Sequence, residues 1–237
     1  MLRMAKSLLV LLMVTSWAAS AQSITPAAPQ LAAEGYLLID ADTGHVIVEF
    51  NSDQRLPPAS LTKIMTSYII SAELEQGTLN LDEEVQISVN AWRTEGSRMF
   101  IREGTQVPVR DLKRGIIIQS GNDASVAMAE RIAGSEDAFA DLMNQHAMRL
   151  GMTSTNFMNA TGLPHDNHYT TANDLAKLTT ALIQDFPEDY KIYSEKYFTY
   201  NDIRQPNRNS LLWRDKTVDG VKTGHTEAAG YCLVASA

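Results

Sequence analysis

The chain holds one cysteine, Cys232, in 237 residues. A lone thiol excludes an intrachain disulfide framework, so packing and hydrogen bonds must hold the fold. It also lacks basic excess: Lys and Arg total 20 against 28 Asp and Glu, a net charge of −8. That balance argues against nucleic acid as a partner. There is no internal repeat, no low-complexity tract and no clean linker, which argues against a solenoid, a disordered chain or a string of domains. What is present is an ordinary apolar fraction, 44% of residues, enough for a sizeable core.

The first residues read as a leader. Arg3 and Lys6 form a basic start, Leu8 to Val14 an apolar heart, and Ala19-Ser20-Ala21 a small-x-small cleavage site. This is the pattern of a secretory signal peptide cut after Ala21. The alternative, an uncleaved anchor, requires an apolar run long enough to span a bilayer, and this one is too short. No Cys lies at the cut, which excludes a lipoprotein anchor there. The expected layout is signal peptide 1–21, flexible lead-in 22–34 and one domain over 35–237. Removing the leader's two basic residues takes the charge from −8 to −10. Cys232 sits in an apolar stretch and is expected to be a buried small hydrophobe.

Within the domain, Tyr36 to Ile39 and Val46 to Phe50 flank the turn-rich Asp40-Ala41-Asp42-Thr43-Gly44 and predict a β-hairpin. After Pro57-Pro58, the spacing of Leu61, Ile64, Met65, Tyr68, Ile69 and Ala72 predicts a helix with one apolar face, ending near Gly77. The stretch 82–108 reads as loop with a short strand at Val85 to Ile87. Helices are predicted over 109–119, 124–133 and 137–150. Thr171-Ala172-Asn173-Asp174 reads as a capping box opening another helix to about Gln184. Asp219-Gly220 reads as a turn, and Val221 to Gly224 and Tyr231 to Ser236 as a terminal strand pair. Strands at both ends with helices between them require one sheet joined from N- and C-terminal pieces.

Three short patterns carry chemistry. In Pro58-Ala59-Ser60-Leu61-Thr62-Lys63 the serine sits where a helix begins, and Lys63 rises one turn later on the same face. A serine hydroxyl is a poor nucleophile until a neighbouring base activates it. An N-capping serine with a surface lysine gives the same pattern. Ser120-Gly121-Asn122 falls between two helices, with Gly121 expected to permit the tight turn; a plain capped turn fits equally. Lys222-Thr223-Gly224-His225 lies on a late strand, where Gly224 is expected to clear space for a substrate backbone; a lysine-protected edge strand is the alternative. Singly each pattern is weak. Together and in this order, Ser-x-x-Lys, Ser-x-Asn and Lys-Thr-Gly are a known signature of penicillin-binding proteins and class A β-lactamases.

The likeness extends beyond those patterns. Pro58 to Thr66, Gln119 to Ala124 and Val218 to Thr226 resemble the low-molecular-mass D-alanyl-D-alanine carboxypeptidases, the peptidase S11 family, as do Asn159-Ala160-Thr161-Gly162-Leu163 and Pro206-Asn207-Arg208-Asn209. The resemblance covers about 35–237. It implies an α/β (α+β) fold of the β-lactamase and transpeptidase type, a five-stranded antiparallel sheet flanked by helices. It implies a serine carboxypeptidase that removes the terminal D-alanine from peptidoglycan stem peptides ending in D-Ala-D-Ala and is acylated by β-lactams. No cofactor and no metal are implied.

By the same resemblance, Ser60 is the nucleophile, Lys63 its base and Ser120 a proton relay to the leaving amine. Asn122 holds Lys63 and the substrate amide, while Lys222 and Thr223, helped by Arg208, attract the terminal carboxylate. The backbone N–H groups of Ser60 and His225 form the oxyanion hole, Gly224 lies beside the substrate, and Thr94 to Met99 borders the site. Burial and the nearby Lys222 are expected to depress the pKa of Lys63. The protein is expected to be exported across the inner membrane to the periplasm, with membrane attachment only where a further C-terminal segment supplies it. The family's sheet has one strand beyond Ala237, so the 237-residue chain is expected to be incomplete and weakly stable.

Rival readings remain open. An endopeptidase cutting D-Ala–diaminopimelate crosslinks shares all three patterns. A class A β-lactamase needs a Glu-x-x-x-Asn element between Asn122 and Lys222, and none is present. A non-catalytic β-lactam sensor or wall-binding module would tolerate loss of a catalytic residue, whereas all are intact. His165-Asp166-Asn167-His168 has two histidines three apart, a possible zinc pair, but no further ligand nearby, and reads as a polar loop.

Overall fold

The computed structural model describes residues 31–237. The expected leader and most of the lead-in lie outside the described residues. Strands β1 (Tyr36–Ile39) and β2 (Val46–Phe50) form the expected antiparallel hairpin, with Leu38 opposite Val48. Asp40 closes the turn: its Oδ1 accepts from the Thr43 N–H at 2.8 Å and the Thr43 hydroxyl at 2.6 Å.

Helix α1 (Lys63–Glu75) departs from the expected one-sided face. Every residue from Lys63 to Ala72 is buried. The cause is its place in the fold: α3 (Val109–Ile118), α4 (Asn122–Ala133), α5 (Glu136–Arg149) and α6 (Ala172–Asp185) all pack on it. A helix surrounded in this way needs apolar residues all round and internal partners for its polar ones. Thr66 Oγ1 donates to the Ala160 carbonyl at 2.8 Å, and Ser67 bonds the Tyr193 hydroxyl. Lys113 Nζ donates to Ser71 Oγ at 3.0 Å and pairs with Asp189.

The other long helices match their predicted ranges closely, with α4 beginning two residues early, at Asn122. Thr171 caps α6, its hydroxyl accepting the Asp174 N–H at 3.1 Å. Asp174 does not return the bond; its carboxylate accepts from the Ser154 N–H at 2.8 Å and from Lys177 at 2.8 Å. The stretch read as loop contains more structure than expected. β3 (Glu84–Gln86) pairs with β4 (Gln106–Pro108), and α2 (Val89–Arg93) is capped by Ser88, whose Oγ accepts the Ala91 N–H at 2.9 Å. Helix α7 (Pro187–Tyr190), strands β5 (Tyr197–Tyr200) and β6 (Ile203–Pro206) and helix α8 (Leu211–Arg214) were not anticipated. Each spans four residues, too few for a periodicity to emerge.

β7 (Gly220–Thr226) and β8 (Gly230–Ser236) form the expected C-terminal pair, Lys222 opposite Val234. The turn falls at 227–229, not at Asp219-Gly220, because Gly220 is already paired with Ser236. The described strands form two-stranded antiparallel ladders, and β1–β2 is not hydrogen-bonded to β7–β8. The single closed sheet is therefore not formed among the described residues. A ladder needs a neighbour about 4.8 Å away; each terminal hairpin pairs only within itself. Apolar side chains on both stay exposed, among them Leu38, Ile47 and Phe50 on one and Tyr231 and Leu233 on the other. Cys232 is half-buried, not buried, since only one face of β8 is covered; that partial burial raises its thiol pKa. No described helix is long and apolar enough to cross a membrane.

Candidate active site

After Pro57-Pro58 the chain makes a 3-10 turn, Ala59–Thr62, that runs straight into α1. Ser60 is thus on the turn preceding α1, half-exposed, and Lys63 is the first residue of the helix proper. Ala59 takes φ +47, a left-handed value that a residue with a Cβ rarely adopts. Such strain persists only where surroundings impose it, and two close approaches do so here. A Cβ on Gly224 of β7 would lie 3.1 Å from the Ser60 nitrogen and 3.2 Å from the Ala59 Cβ. Gly224 therefore lets β7 press against the Ser60 turn, which corrects the expectation that it clears room for substrate. On another side, Gly162 has φ +84, and a Cβ there would fall on the Ala59 carbonyl.

Lys63 is 1% exposed. Its Nζ lies 3.1 Å from Ser60 Oγ, 2.7 Å from Asn122 Oδ1 and 2.6 Å from the Thr161 carbonyl. Two of these partners can only accept, so they consume two N–H bonds of the amine. Ser60 can donate as well as accept. A neutral Lys63 therefore has its lone pair left for the Ser60 O–H. The environment favours that neutral form: burial holds the Lys63 pKa well below the ordinary lysine value, helped by Lys222 and Arg208, while Asp123 and Glu136 oppose.

Ser120 and Asn122 sit where expected, between α3 and α4. Ser120, not Gly121, takes the left-handed turn, with φ +64 against −62 for the glycine. Gly121 matters for a different reason: a Cβ would crowd Asp123 Oδ1 at 2.9 Å and the Met99 nitrogen at 3.2 Å. Lys222 Nζ donates to Ser120 Oγ at 2.9 Å and to the Thr223 carbonyl at 2.8 Å. Burial, then Arg208, lowers the Lys222 pKa to about 7. Asn122 is oriented from both ends, since its Nδ2 donates to the Glu95 carbonyl at 2.6 Å while Oδ1 faces Lys63.

The border loop is tied to the same place. The Asn122 N–H donates to the Ser97 carbonyl at 2.7 Å. Asp123, fully buried, accepts from the backbone N–H groups of Met99, Phe100 and Ile101 at 3.0, 3.0 and 3.3 Å. Arg208 is exposed and donates from Nε to the Gln119 carbonyl at 3.0 Å. Thr223 is half-buried beside Lys222, and His225 is exposed with its ring 4.4 Å from that of Tyr231. Every predicted site residue thus falls on the 3-10 turn and α1, the α3–α4 junction, β7, or the segment before α8.

Sequence reasoning gave several residues no role, although Asn159 to Leu163 carry part of the family resemblance. Thr161 matters through its carbonyl, which no side-chain pattern reveals. Asn159 shapes that loop: its Oδ1 accepts from the Thr161 and Gly162 N–H groups at 3.2 and 2.7 Å. His168, read as part of a polar loop, is buried; its Nε2 lies 2.9 Å from Thr62 Oγ1. Among the described residues no three His, Cys, Asp or Glu side chains gather where a metal could be held. Two cavities, about 350 and 290 Å³, are lined around Tyr68 and His146 and around Trp92 and Phe100. Neither is lined by Ser60 or Lys63.

Residues 22–237 match the peptidase S11 family, described as D-alanyl-D-alanine carboxypeptidase. The D-alanyl-D-alanine carboxypeptidase DacA of Escherichia coli K12 is 50% identical over 223 residues, covering 91% of this chain and 55% of the relative. The D-alanyl-D-alanine endopeptidase of the same organism is 31% identical over 228 residues, 92% of this chain and 71% of the relative. The crystal structure of penicillin binding protein 5 from Haemophilus influenzae superposes with a TM-score of 0.85 at 48% identity, covering 88% of this chain and 62% of that one. The chain spans about half the length of the curated carboxypeptidases it matches. With that fold, and with a buried lysine on a serine at a strained turn, the chain belongs to the peptidase S11 family.

Proposed function

We propose that this chain acts as a serine D-Ala-D-Ala carboxypeptidase on peptidoglycan stem peptides and is acylated by penicillins at the same serine. The observation that carries the reading is the set of three partners around Lys63 Nζ, two of which can only accept. Neutral Lys63 takes the Ser60 proton as Oγ attacks the penultimate D-Ala carbonyl. The backbone N–H groups of Ser60 and His225 are assigned to the oxyanion, the role that preorganised donors fill in acyl transfer. The C–N bond then breaks, and the proton that Lys63 took passes through Ser120, which is hydrogen-bonded to Lys222, to the departing D-alanine amine, leaving Lys63 neutral again. Water attacks the acyl ester and gives one proton to neutral Lys63, which passes it to Ser60 Oγ as the ester C–O bond breaks and the shortened peptide is released. Lys222, Thr223 and Arg208 attract the terminal carboxylate, and Asn122 holds the substrate amide as well as Lys63.

Greater likeness to the carboxypeptidase, 50% identity against 31% for the endopeptidase, favours release of free D-alanine over cleavage of crosslinks. The substrate class and the leader-like first residues support a periplasmic location. The test is incubation with a diacetyl-lysyl-D-Ala-D-Ala tripeptide and with crosslinked dimers. Free D-alanine from the tripeptide, faster than dimer cleavage, is expected; dimer cleavage alone would replace the reading with an endopeptidase.

A further inference from the structure

Arg208 is an exposed cation, yet both neighbours in the chain are buried: Asn207 is 7% and Asn209 2% exposed. Buried amides must satisfy both ends, and these do. Asn207 Nδ2 donates to the Tyr193 and Glu195 carbonyls at 3.2 and 3.0 Å, and its Oδ1 accepts the Asn209 N–H at 2.9 Å. Asn209 Nδ2 donates to the Gly220 carbonyl at 2.8 Å, and its Oδ1 accepts the Leu211 N–H at 3.1 Å. The anchors belong to the site's own framework. Gly220 opens β7 two residues before Lys222. Tyr193 bonds Ser67 on α1, one turn beyond Lys63. From between the two asparagines, Arg208 Nε reaches the Gln119 carbonyl, the residue before Ser120.

We propose that Asn207 and Asn209 are positioning residues that clamp the backbone on either side of Arg208 and so fix its guanidinium between the Ser120 turn and β7. The inference rests on the carboxypeptidase reading, in which Arg208 helps receive the substrate carboxylate. An amide is required at 209 because a carboxylate cannot donate to the Gly220 carbonyl, and an alanine leaves that carbonyl without its partner. A displaced guanidinium has two consequences. The terminal carboxylate loses a charge-assisted partner. Lys63 also loses one of its two cationic neighbours, Lys222 on β7 remaining, while Asp123 on α4 and Glu136 on α5 still act in the opposite sense. Its proton is then held to higher pH.

The experiment is a double-mutant cycle on the full chain, reading KM and the pH dependence of kcat/KM for the diacetylated tripeptide. Arg208→Ala and Asn209→Ala are each expected to raise KM about tenfold, the scale of a lost hydrogen bond to a charged group. The double variant is expected to match Arg208→Ala alone, because the asparagine acts through the arginine. Both single variants should move the acid limb of kcat/KM to higher pH by the same amount. Asn207→Ala, anchored at the other end, carries the same cycle if Asn209→Ala does not fold. Multiplicative effects on KM, or a reduced penicillin-binding titre with unchanged KM and unchanged acid limb, would overturn the clamp. A wild-type protein that releases no D-alanine would instead overturn the carboxypeptidase reading beneath it.

Discussion

The Thr161 carbonyl stands 2.6 Å from Lys63 Nζ, nearer than the Ser60 hydroxyl at 3.1 Å. A backbone acceptor at that place, with Asn122 Oδ1 as the second, uses the N–H bonds of the neutral amine and leaves its lone pair to the serine. The loop carrying Thr161 is therefore part of how the base is made, although it contributes no side chain to the reaction.

Acylation by penicillin is expected to rise with pH through a depressed lysine pKa. Burial and the two nearby cations lower the Lys63 value, so the active neutral form is lost as pH falls through that value and is present above it. Lys63→Arg is expected to acylate at least about a thousandfold more slowly, because a guanidinium does not deprotonate in this range. Stopped-flow labelling across pH checks both. A flat profile, or an Arg variant near wild-type rate, contradicts the role.

Gly162→Ala should damage both stability and the site. The backbone there is left-handed at φ +84, and the added methyl would meet the Ala59 carbonyl beside Ser60. A loss of about 3 kcal/mol is expected for strain plus overpacking, with a smaller penicillin titre from a displaced serine. Urea unfolding and active-site titration measure the two. Wild-type values for both would mean that the loop can move aside.

His168 makes stability depend on pH. Burial drives its pKa from 6.5 to about 4, so the folded protein keeps it neutral where the unfolded chain would protonate it. Stability from this group is complete above pH 6.5 and is lost as pH falls towards 4, by up to about 3 kcal/mol. Urea midpoints at pH 7 and 4.5 should separate less in His168→Gln than in the wild type. Equal separation would show that His168 does not govern the acid sensitivity.

Much of this was legible in the sequence, and what was not has identifiable causes. The hairpins and the long helices announced themselves by alternation, periodicity and the Thr171 cap. Ser60, Lys63, Ser120, Asn122 and Lys222 were legible because side-chain chemistry at fixed spacing is visible in letters. Thr161 was not, since it acts through a carbonyl. The roles of Gly121 and Gly224 were misjudged because a close approach between distant segments leaves no local mark. The one-sided face expected of α1 failed for the same reason: only the tertiary arrangement places four helices around it. β5, β6, α7 and α8 were too short to show a period, and the single closed sheet assumed a pairing that the terminal hairpins do not make with each other.

The central claim is that Ser60, activated by neutral Lys63, is the acylated residue. The direct measurement is to label the protein with a fluorescent penicillin, digest it and locate the adduct by mass spectrometry. One adduct per chain, on the peptide containing Ser60 and absent from Ser60→Ala with an unchanged melting temperature, is the predicted result. An adduct on any other residue, or undiminished labelling of Ser60→Ala, would contradict the account.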